Sequence, residues 1–276
     1  KIMVEHDFYE INKPNIVIDL PINSDLSCFL DQLSVKASQV KFISDKNWLK
    51  KTRKTWESYK PAYKDYPIKE KINPYHFLFK FYEKLDNNKI VILGNGISVV
   101  GSFQTAIVKK GQRNFQNYGS ASMGYDLPAC IGAHVAGGGH IVCLTGDGSI
   151  QLNLQELQTL QTLKAKVSIF VINNNGYDSI RQSQKMAFAD SSYHGISPKT
   201  GISFPSIKKL AECYEYDYFL ISSYSSIDNI LDDVFESKTS ICEIIVDDNQ
   251  DFLPKVSAMR NEDGSIKSGS LLNMKP

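Results

Sequence analysis

The sequence has few of the features that mark a membrane protein or a disulfide-rich secreted domain. Its longest apolar runs are about six residues, as at positions 167–172, whereas a helix that spans a bilayer needs about 20. Its five cysteines are scattered and contain no Cys-x-x-Cys pair, which argues against a disulfide framework and against a zinc site. These absences favour a reduced, cytoplasmic setting.

An excess of charge of either sign is also missing. The 276 residues carry 31 basic and 30 acidic side chains, a formal net charge of +1, so no overall field attracts the chain to nucleic acid or to an anionic membrane. Apolar residues make up 42% of the chain, which is enough for a sizeable core and excludes disorder for most of the sequence. We therefore expect a globular protein with no nucleic-acid or membrane partner.

The signals that are present divide the sequence into four parts. Residues 1–33 predict a strand over 16–18, a turn at Pro21 and a helix over 24–33. That is too little for an independent core, so we expect the end of a preceding middle domain in a chain that starts inside a longer protein. Residues 34–72 are a basic linker with a helix, residues 73–250 an α/β domain, and residues 251–276 a carboxyl-terminal tail.

The basic linker allows two interpretations. Between residues 41 and 70 there are nine Lys or Arg against four Asp or Glu. Aromatic side chains are interleaved with them, at Trp48, Trp56, Tyr59, Tyr63 and Tyr66. A nucleic-acid surface has a similar composition, but no recognised nucleic-acid-binding module is present. This favours a linking helix whose aromatic residues pack on a neighbouring domain.

Short apolar runs alternate with helical patterns from residue 73 onward. Asn73 followed by Pro74 is typical of a helix start. Helices are predicted over 76–85, 98–108, 127–135, 152–163, 179–186, 206–214 and 227–235. Strands are predicted over 90–93, 141–144, 167–172, 218–221 and 241–246, as the continuous apolar runs of strands buried on both faces. This order predicts βαβ units and an α/β fold, a parallel sheet with helices on both faces.

Two polar motifs follow successive predicted strands. Gly-Asp-Gly-Ser occupies residues 146–149, and Asn-Asn-Asn occupies residues 173–175. Asp147 and Asn174 are 27 residues apart, which is the length of one βαβ unit. Both side chains are therefore expected at the same carboxyl edge of the sheet, where open α/β sheets bind ligands.

The chemistry of these motifs suits a metal-bound diphosphate. Mg²⁺ takes oxygen ligands in octahedral geometry, commonly a carboxylate together with substrate phosphates. Asp147 and the Asn174 amide oxygen supply two ligands, and a backbone carbonyl just past Asn174, placed at Gly176, supplies a third. The N–H groups of Gly148 and Ser149, at the start of the following helix, are expected to hold the diphosphate.

This arrangement resembles the signature of thiamine diphosphate enzymes, in which Gly-Asp-Gly and a downstream Asn-Asn hold a metal diphosphate. Residues 119–133 (Gly-Ser-Ala-Ser-Met-Gly-Tyr-Asp-Leu-Pro-Ala-Cys-Ile-Gly-Ala) look like the acetolactate synthase branch of that family. So do residues 153–157 (Asn-Leu-Gln-Glu-Leu). The resemblance runs from residue 90 to residue 247, and residues 4–30 look like the last strand and helix of the family's middle domain. It implies the carboxyl-terminal, diphosphate-binding part of such an enzyme.

The resemblance also implies further contacts to the cofactor. Met123 corresponds to the apolar wedge that bends the cofactor into a V shape, and the Ala121 carbonyl corresponds to the acceptor for the 4'-amino group of its pyrimidine. The other implied contacts come from a loop that touches the phosphates from the other side and from residues after the metal loop: Gly94, Asn95, Gly96, Tyr177, Ser179 and Ile180.

The implied function is that of a 2-oxo acid carboligase, which decarboxylates pyruvate or a similar acid and transfers the two-carbon unit to a second carbonyl compound. Its cofactors are thiamine diphosphate and Mg²⁺, while flavin binding is left open. In the family, the glutamate that activates the cofactor lies in an amino-terminal, pyrimidine-binding domain, and no acidic residue here matches it. The isolated chain is therefore expected to be inactive without that domain, in the same longer chain or in a separate subunit, and a homo-oligomer is expected.

Two alternatives stay open. One is a 2-oxo acid decarboxylase of the same family, and the other is a non-catalytic cofactor-binding module. Residues 181–185, residues 201–205 and the carboxyl-terminal tail look closer to relatives associated with surface sugars or specialised carboligation than to biosynthetic acetolactate synthase. The acceptor substrate is therefore left open.

Overall fold

The computed structural model describes residues 1–14, 17–41, 45–59, 66–188, 193–237, 239–256, 259–267 and 269. The chain divides into two compact units, one formed by Lys1–Tyr59 with Pro254–Pro276 and the other by Lys60–Leu253. Ile16 and Tyr63 lie outside the described residues. The division into four parts drawn from the sequence remains a prediction.

The first unit begins with two short parallel strands joined through a one-turn helix. Its elements are β1 (Ile2–Glu5), α1 (Phe8–Ile11), β2 (Leu20–Asn23), α2 (Leu26–Ala37) and α3 (Lys46–Tyr59). Asp25 caps α2 by accepting hydrogen bonds from the Ser27 and Cys28 N–H groups. The helix predicted in the basic linker is α3.

The prediction of a strand over 16–18 is wrong for Val17 and Ile18, the two of these residues that the structure describes. Val17 and Ile18 lie in no strand, and the strand begins at Leu20 and includes Pro21. The apolar Val-Ile pair has no partner strand of its own, whereas residues 20–23 pair with β1. A two-stranded sheet tolerates proline because each strand has a free edge that needs no N–H donor.

The second unit alternates helices and strands, as predicted. Its elements in chain order are α4 (Pro74–Lys84), β3 (Ile90–Leu93), α5 (Ile97–Thr105), β4 (Arg113–Gln116), α6 (Asp126–Val135), β5 (Ile141–Gly146), α7 (Glu156–Thr162), β6 (Val167–Asn173), α8 (Asp178–Phe188), α9 (Ile207–Cys213), β7 (Asp217–Ile221), α10 (Ile227–Glu236) and β8 (Thr239–Ile245). In the first unit, β9 (Met259–Arg260) and β10 (Ile266–Lys267) form an antiparallel pair.

The six strands of the second unit form one parallel sheet in the order β4-β3-β5-β6-β8-β7. Side chains alternate between its faces, so Val91 and Leu93 join one core and Ile92 joins the other. Helices α4, α5 and α10 cover the first face, and α6, α7 and α9 cover the second. The α/β fold predicted from the sequence is confirmed.

Two elements differ from the prediction in ways that affect the site. Strand β4 was not predicted, because its sequence Arg-Asn-Phe-Gln has one apolar residue and it lies at the edge of the sheet. The helix predicted over 152–163 starts as a short 3-10 helix, Ile150–Asn153, and becomes α-helical only at Glu156. The leucine spacing of this segment predicts one buried side formed by Leu152, Leu154, Leu157, Leu160 and Leu163, but only Leu157 and Leu160 are fully buried, and Leu152 and Leu163 are exposed.

The described residues contain neither a disulfide bond nor a helix that could span a membrane. All five cysteines are free thiols, and Cys130, Cys143 and Cys242 are buried. None of the helices in the described ranges is long and apolar enough to cross a membrane.

His140 lies just before β5, at the opposite edge of the sheet from the Gly-Asp-Gly motif. Its Nε2 is 2.8 Å from the Ser168 hydroxyl, which donates to the Val234 carbonyl, and its Nδ1 is 3.2 Å from the Lys89 ammonium. Because the Ser168 proton is used, His140 must donate from Nε2 and accept at Nδ1, which is the neutral imidazole. Burial, with Lys89 and Lys166 nearby, lowers the pKa of His140 to about 4.

This environment predicts a loss of stability in mild acid. A histidine whose pKa is depressed by folding stabilises the fold above its ordinary value of 6.5, and that contribution is lost as the pH falls towards about 4. Between about pH 7 and pH 5 the wild-type protein should lose about 1 kcal/mol more than His140→Gln, after allowance for solvent screening of the partly exposed ring. Chemical denaturation of both proteins measures this, and equal pH slopes would contradict it.

Candidate functional site

A cleft lies at the carboxyl edge of the sheet, where the loops after β3, β4, β5 and β6 meet. It is open to solvent, and the space between its walls, including the solvent at its mouth, is about 540 Å³. Strand β3 has β4 on one side and β5 on the other, so the connections run in opposite directions from this point. Open parallel sheets bind ligands at such a switch point. The topology alone therefore marks this cleft as the candidate site.

Most of the predicted site residues line this cleft. Eleven of the thirteen are there: Asn95, Gly96, Met123, Asp147, Gly148, Ser149, Asn174, Gly176, Tyr177, Ser179 and Ile180. The other two, Gly94 and Ala121, line a neighbouring open pocket, which shares Asn95 with the cleft. The structure thus brings together residues from four separate loops.

Asp147 follows directly after β5 and is buried at the base of the cleft. Its Oδ1 accepts a hydrogen bond from the Gly148 N–H at 2.9 Å, and its Oδ2 accepts one from the Gly176 N–H at 3.1 Å. Burial raises the pKa of Asp147 to about 7, although both N–H groups favour the carboxylate. In the part of the chain that the structure describes, no cationic side chain pairs with it. A buried carboxyl group in this situation calls for a cation.

Asn174 follows β6, the strand that pairs with β5. Its Oδ1 is buried and has no hydrogen-bond partner among the described residues. An amide oxygen buried without a partner costs about 1–3 kcal/mol, so a ligand that binds it would recover that energy. Within the described part of the chain, Asn174 therefore brings an amide oxygen without a hydrogen-bond donor, and Asp147 a carboxyl group without a cation, to the same cleft.

Two glycines allow the loops of the cleft to approach closely. A Cβ atom on Gly148 would collide with the ring of Tyr177, and one on Gly176 would collide with the Ile196 carbonyl oxygen. The Tyr177 N–H donates to that same carbonyl at 2.9 Å, and the Tyr177 ring packs edge-on against Phe204. The aromatic ring thus closes over Gly148 and leaves no room for a side chain there.

These residues fit a metal-bound diphosphate. One carboxylate, one amide oxygen and a backbone carbonyl are oxygen donors of the kind that Mg²⁺ prefers. No group of three or more His, Cys, Asp or Glu that could hold a metal is present among the described residues. A site of the predicted kind needs only one carboxylate, because the ligand's phosphates complete the coordination.

Some local contacts differ from the predicted roles. The Gly148 N–H donates to Asp147, so a diphosphate bound through this N–H would have to replace that hydrogen bond. The helix after Ser149 is a four-residue 3-10 helix, not the α-helix expected. The Ala121 carbonyl accepts a hydrogen bond of 2.7 Å from the Asn95 side chain, so the acceptor expected to bind the cofactor's amino group already has one partner.

Met123 lies in a loop of small residues and lines the cleft. It is partly buried and belongs to neither of the two apolar cores of the sheet as they are formed by the described residues. A long, flexible side chain in this position is available to a ligand in the cleft, which is the placement that the wedge role requires. The role itself remains a prediction.

The structure adds a buried residue that the sequence analysis missed. Asp126, at the start of α6, is fully buried behind the cleft, and its Oδ2 accepts hydrogen bonds from the hydroxyl groups of Thr145 and Ser149. In the sequence, an Asp in the first turn of a helix is unremarkable because acidic residues favour helix starts. Nothing in its local sequence distinguished it from a surface helix cap.

Asp126 also explains Gly94. A Cβ atom at position 94 would lie 2.5 Å from Asp126 Oδ2 and 3.2 Å from the Leu144 carbonyl oxygen. Gly94→Ala should therefore destabilise the protein by about 1–3 kcal/mol through overpacking. Gly119→Ala is the matched control, because no atom lies within 4 Å of the added methyl group. Denaturant unfolding measures both, and equal stabilities would show that the carboxylate does not fill this space.

The fold and the cleft define a parallel α/β protein with a candidate ligand site at its switch point, and the comparisons with known proteins identify the family. Residues 95–244 match the family described as "Thiamine pyrophosphate enzyme, C-terminal TPP binding domain". This match covers more than half of the chain, so the chain belongs to the thiamine pyrophosphate enzymes and contains their carboxyl-terminal cofactor-binding domain. The resemblance noted in the sequence is thereby confirmed.

Several acetolactate synthase large subunits are similar to the chain. It is 24% identical to that of Lactococcus lactis over 264 residues, which are 95% of this chain and 44% of the relative. It is 32% identical to that of Cyanidium caldarium over 224 residues, which are 77% of this chain and 36% of the relative. For Haemophilus influenzae the identity is 33% over 150 residues. The chain spans less than half the length of these relatives.

Proposed function

We propose that the chain is the diphosphate-binding half of a thiamine diphosphate-dependent 2-oxo acid carboligase. The enzyme would decarboxylate pyruvate or a similar acid and transfer the two-carbon unit to a second carbonyl compound. The observation that carries the proposal is that Asp147 and Asn174 line the same cleft. Both have buried oxygen atoms that lack a cation or a donor side chain among the described residues, and both line one cleft at the switch point.

In this proposal the loops after β5 and β6 hold Mg²⁺ and the diphosphate of the cofactor. Asp147, the Asn174 amide oxygen and the Gly176 carbonyl would bind the metal, and Ser149 with Gly148 would bind the phosphates. Tyr177 packs over Gly148 and would exclude water from that side. The Gly94–Gly96 loop would contact the phosphates from the other side.

Other residues of the cleft would position the reacting end of the cofactor. Met123 would support it from below, and the Ala121 carbonyl would accept a hydrogen bond from its amino group if Asn95 shares that acceptor. Ser179 and Ile180, at the start of α8, would face the substrate. When bound, the thiazolium ring supplies the electron sink that makes decarboxylation of a 2-oxo acid feasible.

The proposal also requires a part that this chain does not supply. Activating the cofactor needs a positioned general acid or base, and the glutamate that fills this role in the family belongs to an amino-terminal pyrimidine-binding domain. We propose that this domain, in the same longer chain or in another subunit, completes the site in a homo-oligomer.

Binding and product analysis with the full-length protein test the proposal. Titration calorimetry should detect thiamine diphosphate binding that depends on Mg²⁺. With pyruvate and a second 2-oxo acid or aldehyde, mass spectrometry should detect a product in which the two are joined. The 276-residue chain alone should show no turnover above background, since it lacks the activating carboxylate.

The outcomes separate the alternatives. Release of a free aldehyde, with no joined product whichever acceptor is added, would favour a decarboxylase. Cofactor binding by the full-length protein without any turnover would favour a non-catalytic binding module. Carboligation by the isolated 276-residue chain would contradict the assignment of the activating glutamate to another domain.

A further inference from the structure

Asp126 is a buried carboxylate that the proposed reaction does not use. It has no exposed surface, and its Oδ2 accepts hydrogen bonds from the hydroxyl groups of Thr145 and, at 3.0 Å, Ser149. Its Oδ1 accepts one from the Leu127 N–H at 3.1 Å. Burial raises the pKa of Asp126, and its hydrogen bonds act in the opposite direction. Burying a carboxyl group is costly, so the contacts that this one makes need an explanation.

The Ser149 hydroxyl connects Asp126 to a second loop. Because its proton is donated to Asp126, its oxygen is oriented to accept the Gly124 N–H, at 3.0 Å. The Gly124 carbonyl in turn accepts a hydrogen bond of 2.7 Å from the Asn153 side chain. Gly124 follows Met123 directly. Both backbone groups of Gly124 are thus held by side chains of the segment that begins after Asp147.

We propose that Asp126 is a positioning residue, which fixes the Ser149 hydroxyl and through it the Gly124 amide. In this way the loop that carries Met123 keeps a constant position relative to the loop that carries Asp147. The proposal rests on the proposed function, since it explains how two parts of that same site are held in register. Asp126 itself would not touch cofactor or substrate.

Thr145 and Gly94 border the Asp126 carboxylate. Thr145 is fully buried on β5 and donates one of the three hydrogen bonds to the carboxylate, and the absence of a side chain at Gly94 leaves the space that the carboxylate occupies. The end of β3, the end of β5 and the start of α6 therefore meet at one carboxyl group. A group anchored on these rigid elements is suited to hold the two loops that follow them.

Hydrogen exchange of the Gly124 amide in the full-length protein tests the proposal without any ligand. Its exchange rate is measured relative to the Phe170 amide in the central strand β6, which corrects for changes in global stability. Asp126→Ala and Ser149→Ala should each speed Gly124 exchange about tenfold, because the Gly124 N–H donates to the Ser149 hydroxyl oxygen, and one variant removes that acceptor while the other removes the group that orients it. The double variant should match the single variants, since both act through one hydrogen bond.

Two further variants keep the test decisive. Asp126→Leu fills nearly the same volume without accepting a hydrogen bond, so it replaces Asp126→Ala if that protein does not fold, and the same increase is expected. Thr145→Val removes the other donor to Asp126 but leaves Ser149 in place, and Gly124 exchange should stay within about threefold of wild type. Unchanged Gly124 exchange in the Asp126 variants, or additive effects in the double variant, would overturn the proposal.

Calorimetric titration with magnesium and thiamine diphosphate gives the second readout. Asp126→Leu should weaken binding roughly tenfold, as is common when a residue that orients a ligand-binding group is replaced, while Thr145→Val should bind within about threefold of wild type. Wild-type affinity in Asp126→Leu would show that the two loops do not need this connection. If the wild-type protein itself bound no cofactor, the proposed function would fail, but Gly124 exchange would still decide the role of Asp126.

Discussion

Replacement of Asp147 by Ala in the full-length protein should abolish the dependence of thiamine diphosphate binding on Mg²⁺. Asp147 is the one carboxylate in the proposed set of metal ligands, and its burial provides the cation with a site of low dielectric constant. Even the loss of a residue that only hydrogen-bonds to a metal ligand costs about 10- to 100-fold in metal affinity. Removal of this direct ligand should therefore cost on the order of 100-fold or more, as measured by calorimetry with and without Mg²⁺.

A matched variant separates this effect from a general loss of structure. Asp86 is exposed in the turn before β3, at the opposite edge of the sheet, and Asp86→Ala should keep the affinity and the Mg²⁺ dependence of the wild type. Circular dichroism should show that both variants are folded. Mg²⁺-dependent binding of normal strength by Asp147→Ala would show that the metal, if present, lies elsewhere.

The position of Asp147 beside Asn174 could be predicted because it depends on spacing and topology. One βαβ unit returns the chain to the same edge of the sheet, and β5 and β6 are adjacent and parallel. Gly146 pairs with Ile172 in that register, so the residues that follow the two strands emerge side by side. No side-chain detail is needed for this step, which is why a single sequence was enough.

The contacts that depend on exact geometry could not be predicted. The network around Asp126 joins residues from α6, β5 and the following loop, and each of its hydroxyl and carboxyl groups has a common alternative role on a protein surface. Strand β4 was missed because three of its four residues are polar. In the 150–163 segment, leucine spacing suggested one continuous helix, whereas the 3-10 helix at Ile150–Asn153 rotates Leu152 outward.

Met123→Ala should lower turnover much more than cofactor affinity. The diphosphate and the metal would be held by the loops after β5 and β6, which this substitution does not touch, so the dissociation constant should change by less than about threefold. If Met123 supports the bent cofactor, turnover should fall by about 10- to 100-fold, because small errors in the position of reacting groups carry large costs. Calorimetry and steady-state kinetics on the full-length enzyme measure the two quantities separately.

Met186→Ala is the matched control, since Met186 lies on α8 and is 43% exposed, and it should change neither quantity. The comparison separates a cofactor that is bent over a side chain from one that is held only by its phosphates. A plain phosphate site at the edge of the sheet would not use Met123 at all, and Met123→Ala would then resemble Met186→Ala. Equal losses of affinity and turnover would contradict the wedge role, and a loss of affinity alone, with turnover at saturating cofactor unchanged, would mean that Met123 contributes to binding the ground state and the transition state alike.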